Sequence, residues 1–236
     1  NGKNKMKNYI LIFLVLFFIS CDIFESEIGE FDEILDYEYY LNEGWLSFEE
    51  TTSLENQYSW EEVNEYLEIA VDMFEVALVA MGQEFSTQSL LAPYYQSYNG
   101  IGWSLLYYAN QFLGIDYSQN RKVLRQEAGD NFIYSLEALD ASDENDEISS
   151  QDKCDAYAGL AYFNYYQWFD SDDENYLHNS LEYSSMLLNL LSTYEFNHDV
   201  EFNYEDIHFL RGKIYLLLEE FEFACMEIAH ITDCFE

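Results

Sequence analysis

Apolar side chains recur at helical spacing along most of this chain, and this periodicity constrains the fold more than any other feature. In the clearest segment, Trp60–Met81, apolar residues follow the i, i+3, i+4, i+7 rule of one helix face, and acids occupy the other. Ser59 and Glu62 form a capping-box pattern at its start, and Gly82 is suited to its end. The sequence shows no sustained strand-like alternation and has one proline, Pro93. These patterns predict an all-α protein.

Six later segments carry the same period. They are residues 96–113, 122–140, 152–168, 175–193, 204–219 and 221–233. A further helix is expected around Trp45. Two acidic stretches, 140–147 and 170–174, are predicted as loops, and neither has the Gly and Glu that an EF-hand calcium loop needs at its sixth and twelfth positions.

The helical segments form pairs that resemble one another. Positions of the first helix recur as Tyr98, Ile101, Gly102 and Leu105, as Tyr157, Leu160 and Ala161, and as His208, Arg211, Gly212 and Tyr215. Positions of the second helix recur as Ala70, Phe74 and Ala77, as Ala128, Phe132 and Ser135, and as Ala224, Ile228 and Ile231. Over residues 41–233 this pattern resembles the tetratricopeptide repeat (TPR).

The resemblance implies a helical-repeat, TPR-like array of antiparallel helix pairs with long inter-helix insertions. Small residues such as Gly102 and Ala161 would let two helices cross closely, while Phe74 and Phe132 would fill the gap between one pair and the next. The alternative is an irregular helical bundle in which the small residues merely pack.

The N-terminal segment has the features of an export signal. Lys7 precedes eleven apolar residues, 9–19, which are too few to span a bilayer but are typical of a signal-peptide core. The following sequence, Phe18-Ile19-Ser20-Cys21, resembles the lipobox of bacterial lipoproteins, although that family prefers Leu where Phe18 stands. The resemblance implies that Cys21 is lipidated and anchors the protein to a membrane.

These features predict three parts. Residues 1–20 form the signal peptide, with Met6 as the expected start. Residues 21–40 form an acidic tether and first helix, and residues 41–236 form the TPR-like α-helical domain. The expected location is the bacterial cell envelope, at the periplasmic face or the cell surface.

The chain is strongly acidic. It contains 46 Asp and Glu residues against nine Lys and Arg, and three of these cations lie before Cys21. The remainder carries a net charge of −40, which repels phosphate backbones and makes nucleic acid an implausible partner. Two interpretations of this charge remain open: a solvating surface suited to a saline habitat, or a surface for cations or a basic partner.

Motifs for catalysis and for cofactor or metal binding are missing from the sequence. It contains no HExxH, no Cys-x-x-Cys, no Gly-x-Ser-x-Gly and no phosphate-binding glycine loop. Cys154, Cys225 and Cys234 are expected to be free thiols with structural roles. We therefore expect a protein that is not an enzyme and has no cofactor and no metal site.

The function most consistent with these features is a membrane-anchored helical-repeat lipoprotein that acts as a protein- or peptide-binding scaffold. In TPR proteins the first helices line the surface that holds the partner. When the partner-binding positions of TPR first helices are matched to this sequence by helix phase, the resemblance implies these partner-binding residues: Asn99, Trp103, Tyr107, Asp155, Tyr162, Tyr166 and Phe209. On this interpretation Trp103 and Tyr162 are partly exposed; the alternative is that these aromatic side chains belong to the core. The alternative is a glycan-binding surface lipoprotein of the SusD-like group, to which the abundance of Tyr and Trp is suited.

Overall fold

The computed structural model describes residues 36–54, 59–84, 94–111, 118–141, 148–199 and 202–231, all within one compact unit, Asp36–Glu236. These residues form eight α-helices. They are α1 (Tyr37–Leu54), α2 (Trp60–Glu84), α3 (Tyr94–Gln111), α4 (Ser118–Ala141), α5 (Ile148–Ser171), α6 (Glu174–Leu190), α7 (Tyr204–Leu217) and α8 (Phe221–Ile231).

The prediction of an all-α protein is confirmed, and β-pairing among the described residues is limited to one isolated bridge between Glu195 and Asn203. The signal peptide, Cys21 and tether residues 22–35 lie outside the described residues. No helix in the described ranges has the length and apolar character needed to cross a membrane.

Side chains at the helix starts satisfy backbone groups that the helices leave unpaired. At α2, the Ser59 N–H donates to Glu62 Oε2 at 2.9 Å, and the Glu62 N–H donates to Ser59 Oγ at 3.4 Å, as the capping-box pattern predicts. Asn203 and Asp206 form a second capping box at α7. Asp173 caps α6 by accepting a hydrogen bond from the N–H of Asn175 at 3.0 Å. These contacts fix where three of the helices begin.

Each helix packs on the next one in the chain, and the odd-numbered helices also touch one another in succession, α1 on α3, α3 on α5 and α5 on α7. The even-numbered helices of the described chain make no such contacts with one another. The odd-numbered helices therefore form a continuous row, called here the inner row, and the even-numbered helices lie outside it.

Two buried phenylalanines of the outer helices fit into notches made by glycines of the inner row. Phe74 of α2 lies between Gly44 of α1 and Gly100 of α3, where an added Cβ would come within 2.7 and 2.3 Å of its ring. Such distances are too short for a carbon contact, so these positions have no room for a side chain.

Phe132 of α4 repeats this arrangement one pair later. Its ring lies 2.7 Å from a Cβ built on Gly102 of α3 and 2.2 Å from one built on Gly159 of α5. The expectations that Gly102 permits a close crossing and that Phe132 fills the gap to the next pair are therefore met. Gly212 of α7 differs, because its nearest neighbour would be Ile228 at an ordinary 3.5 Å.

Two details of the predicted α2 helix are wrong. Tyr66, expected on the buried face, is 37% exposed, whereas Leu67 and Ala70 are fully buried. The helix also continues past Gly82 to Glu84.

Candidate functional site

The connection between α6 and α7 is not a surface loop, because it lies across the inner row. Residues 191–199 and 202–203 are called here the crossing segment. Its side chains alternate as in an extended chain: Tyr194 and Phe196 are buried, Glu195 and Asn197 are exposed, and His198 is half-buried. One face of the segment therefore packs on the inner row, and the other faces solvent.

Tyr194 holds one end of the crossing segment against α5. Its hydroxyl donates to Asp155 Oδ1 at 2.8 Å, and Gln151 Nε2 donates to the same oxygen at 3.0 Å. Gln151 Nε2 also donates to the backbone oxygen of Glu195 at 2.7 Å. Burial raises the pKa of Asp155 to about 8, so this carboxyl group carries a proton at neutral pH.

Phe196 occupies the middle of the inner row. Its ring centroid lies 4.8 Å from that of Trp103 of α3, 6.1 Å from that of Phe48 and 6.2 Å from that of Trp45, both of α1. The Phe202 ring centroid lies 5.5 Å from that of Trp103 and 6.0 Å from that of Phe196. The crossing segment thus supplies two of the rings that enclose Trp103.

The His198 end of the crossing segment reaches α1. The imidazole stacks on Trp45 with a centroid distance of 3.6 Å and an interplanar angle of 4°, and its Nδ1 lies 2.8 Å from Glu49 Oε1. Burial lowers the pKa of His198, and Glu49 partly opposes that shift. Next in the chain, Asp199 accepts a hydrogen bond from the Tyr107 hydroxyl of α3 at 2.7 Å. The segment therefore covers the inner row from α5 to α1.

A cleft of about 360 Å³ remains open between α3 and α5, beside the crossing segment. It is called here the aromatic cleft. Of the eight described residues that line it, five are aromatic and none is charged. The lining residues are Trp103, Leu106, Tyr107, Asn110, Gln111, Tyr162, Tyr166 and Phe202.

The tyrosine hydroxyls of the cleft bond to the protein itself. Tyr107 donates to Asp199, as described, and Tyr162 donates to the backbone oxygen of Asp206 at 3.4 Å. The Tyr166 hydroxyl is hydrogen-bonded by the Asn110 side chain. Burial raises the pKa of Tyr162 well above its ordinary value and also raises that of Tyr166, so both phenols stay neutral.

Arg125 of α4 lies behind the cleft and fixes two of its walls. Its guanidinium carbon lies 4.7 Å from the centroid of the Tyr166 ring, and its Nη2 donates to Asn110 Oδ1 at 3.1 Å. Its Nη1 lies 2.7 Å from Asp170 Oδ2, and Arg121 binds the other oxygen of Asp170 at 3.1 Å. Burial lowers the pKa of Arg125, and Asp170 opposes that shift. Arg125 therefore joins α3, α4 and α5 at this point.

Four of the seven residues predicted to bind a partner come together in the aromatic cleft: Trp103, Tyr107, Tyr162 and Tyr166. The expectation that Trp103 is partly exposed is wrong, because the indole is 2% exposed. The phase of the helix places Trp103 on the inner row correctly, but Phe132, Phe196 and Phe202 surround its ring.

The other three predicted residues lie outside the cleft. Asn99 and Asp155 are buried, at 2% and 4% exposure, so neither presents a free surface. Phe209 of α7 is 49% exposed, and the Lys213 ammonium lies 4.1 Å from the centroid of its ring.

Sequence reasoning missed four lining residues, Leu106, Asn110, Gln111 and Phe202, and the supporting Arg125. Helix phase could have found Asn110, which lies seven residues after Trp103 on the same face. Phe202 and Arg125 join the site only through long-range contacts, which no local pattern reveals.

The described cysteines are free, and one of them is deeply buried. Cys154 is fully buried, and burial raises the pKa of its thiol to about 12, so it is not an available nucleophile. Cys154 and Cys225 are both free thiols, as expected. In the described ranges, no three His, Cys, Asp or Glu side chains lie where they could hold a metal ion together.

Comparison of the chain with protein-family models, with curated proteins and with solved structures finds no match.

Proposed function

We propose that this chain is a membrane-anchored, TPR-like lipoprotein of the bacterial cell envelope, and that it binds a protein or peptide partner through the aromatic cleft. The observation that carries the proposal is the cleft itself. Four phase-matched aromatic residues of two first helices meet in an open cavity there, which is where a TPR-like array would hold a partner.

The repeated notch supports the TPR-like part of the proposal. Phe74 and Phe132 each pack between two successive helices of the inner row, against Gly44 and Gly100 in one case and Gly102 and Gly159 in the other. A helix pair that buries its apolar face by stacking on the next pair is the organising unit of helical-repeat proteins.

The crossing segment excludes one class of partner. Because Tyr194 and Phe196 fill the inner row, the partner is not an extended peptide that runs along all the first helices. The surface left for a partner is the aromatic cleft, which has room for one anchoring side chain of the partner and the residues next to it. A few aromatic anchors of this kind commonly supply most of the binding energy of an interface.

The glycan-binding alternative has less support. Saccharides are held by hydrogen bonds to their hydroxyl groups as well as by ring stacking. Here the hydroxyls of Tyr107, Tyr162 and Tyr166 already bond within the protein. Few polar groups are therefore free to recognise a sugar.

Site-specific photo-crosslinking in the native membrane tests the partner. A benzoylphenylalanine at Gln111, in the cleft, should capture one protein reproducibly. The same group at Tyr134, which is 49% exposed on α4 and outside the cleft, is the matched control. Equal labelling from the two positions, or none from Gln111, would contradict the proposed site.

The anchor is tested separately. In a lipoprotein-processing bacterium, the chain should partition into the detergent phase and incorporate labelled acyl chains, and Cys21→Ala should abolish both. Unchanged partitioning of the Cys21→Ala protein would contradict the lipoprotein assignment.

A further inference from the structure

We propose that the aromatic cleft binds a cationic side chain, an arginine of a basic segment in the partner protein. This inference rests on the proposed function and adds the chemical class of the ligand. Three properties of the cleft carry it: the arrangement of its rings, the groups that its walls lack, and the charge of the whole chain.

The rings stand at steep angles to one another. Phe202 makes angles of 65° with Trp103 and 64° with Tyr162, and Tyr162 makes an angle of 43° with Tyr166. Rings so arranged form the walls of an enclosure, not one flat platform for stacking a sugar. Aromatic enclosures of this kind recognise organic cations through the negative potential of ring faces.

The described walls of the cleft carry no positive charge that would select an anion. Among the described residues no charged side chain lines the cleft, and the Arg125 guanidinium behind it is only 7% exposed and is paired with Asp170 at 2.7 Å. The tyrosine hydroxyls are engaged, and the Asn110 oxygen accepts from Arg125. The other polar groups of the described lining are the Gln111 amide and the Trp103 indole N–H, which is buried without a hydrogen-bond partner. Aromatic surface therefore dominates recognition.

Charge favours a cation. After Cys21 the chain carries 46 acids against six Lys and Arg, and such a field concentrates cations and steers basic partners towards the protein. The chain already places three of its own six cations over aromatic rings. Arg125 lies over Tyr166 at 4.7 Å, Arg211 over Tyr215 at 5.8 Å and Lys213 over Phe209 at 4.1 Å.

Arginine suits the cleft better than lysine. Its guanidinium is planar, stacks on aromatic faces and is more weakly hydrated than an ammonium, so it loses less on entering an aromatic enclosure. A volume of about 360 Å³ also lies within the range of small-ligand pockets, roughly 300–1,000 Å³, which leaves space for one such side chain.

The test compares N-acetyl-arginine amide with N-acetyl-citrulline amide, its neutral analogue of nearly the same shape. Both are titrated into the full chain, and NMR follows signals from labelled tyrosine rings. We expect the arginine compound to bind about 3- to 30-fold more tightly, the range that corresponds to a partly desolvated cation–π contact. Equal affinities would overturn the inference.

A pair of variants supplies the internal control. Gln111→Lys places a positive charge in the cleft and should remove most of the preference for the arginine compound over the citrulline compound. Asn179→Lys, at an exposed position on α6, makes the same change in net charge and should keep the preference. Loss of the preference in both variants would mean that overall charge, and not the cleft, selects arginine.

Two further outcomes separate the alternatives. Choline binding more tightly than the arginine compound would assign the cleft to a free quaternary ammonium and overturn the partner-segment inference. A protein captured at Gln111 without any preference for arginine would leave the proposed function standing and refute this inference alone.

Discussion

Replacing Gly159 by alanine tests whether the notch holds successive helix pairs together. A Cβ at this position would lie 2.2 Å from the ring of Phe132, which is fully buried and is held on its other side by Gly102. The ring therefore has little room to move. The same substitution at Gly212, where the nearest neighbour is 3.5 Å away, is the matched control within another inner-row helix.

Two opposing effects set the size of the result. Alanine stabilises a helix interior by about 1 kcal/mol relative to glycine, and both sites gain this amount. Overpacking a filled core costs about 1–3 kcal/mol, and a contact of 2.2 Å with a confined ring belongs at the upper end. We therefore expect Gly159→Ala to lose about 1–2 kcal/mol and Gly212→Ala to gain up to about 1 kcal/mol.

Urea denaturation followed by circular dichroism measures both changes, and an unchanged slope m shows that they reflect stability. A double-mutant cycle that combines Gly159→Ala with Phe132→Leu isolates the contact. The smaller leucine side chain should relieve most of the clash with the added methyl group and make the two changes non-additive. If Gly159→Ala were as stable as Gly212→Ala, the notch would not be a tight contact, and the packing argument would fail.

Three other predictions follow from the buried groups and the charge. Phe196→Ala should cost about 3–5 kcal/mol in urea titrations, because a fully buried ring of the core is lost, and a loss below about 1 kcal/mol would mean that the crossing segment is only loosely held. The raised pKa of Asp155 stabilises the fold below about pH 4, and this contribution is lost as the pH rises through about 8. Asp155→Asn should therefore gain stability relative to the parent between about pH 5 and 8, by at most about 4 kcal/mol, and parallel pH profiles of the two proteins would contradict the buried-carboxyl assignment. Because self-repulsion among 46 acids opposes folding, the thermal midpoint should rise from dilute buffer to molar sodium chloride, and a flat or falling midpoint would contradict that idea.

The helices are predictable because each buries one face, and a buried face leaves a 3.6-residue period in the sequence. The same phase, taken from the sequence alone, places Trp103, Tyr107, Tyr162 and Tyr166 on one surface, and they do meet there. A glycine within a helical period can also be recognised in the sequence as a close helix crossing. Gly102 is such a case, because the structure leaves no room for a side chain at this position.

The burial of Trp103 could not be predicted in this way. Helix phase says which surface a residue faces, but not whether another part of the chain covers that surface. Phe196 lies 93 positions later, in a stretch too short for a helical period to develop. Its one sequence signal is a period of two, with Tyr194, Phe196 and His198 on the same side, and three residues are a weak pattern.

The crossing segment also determines what kind of partner the protein can hold. Uncovering the inner row would expose Tyr194 and Phe196, and burial of each such side chain is worth about 1.5–3 kcal/mol. It would also leave the Asp155 carboxyl group without the Tyr194 hydroxyl, its buried partner at 2.8 Å. A peptide that displaced the segment would have to replace all of these contacts before it gained any affinity. A partner that uses only the aromatic cleft has no such cost, so binding there is favoured over an opened groove.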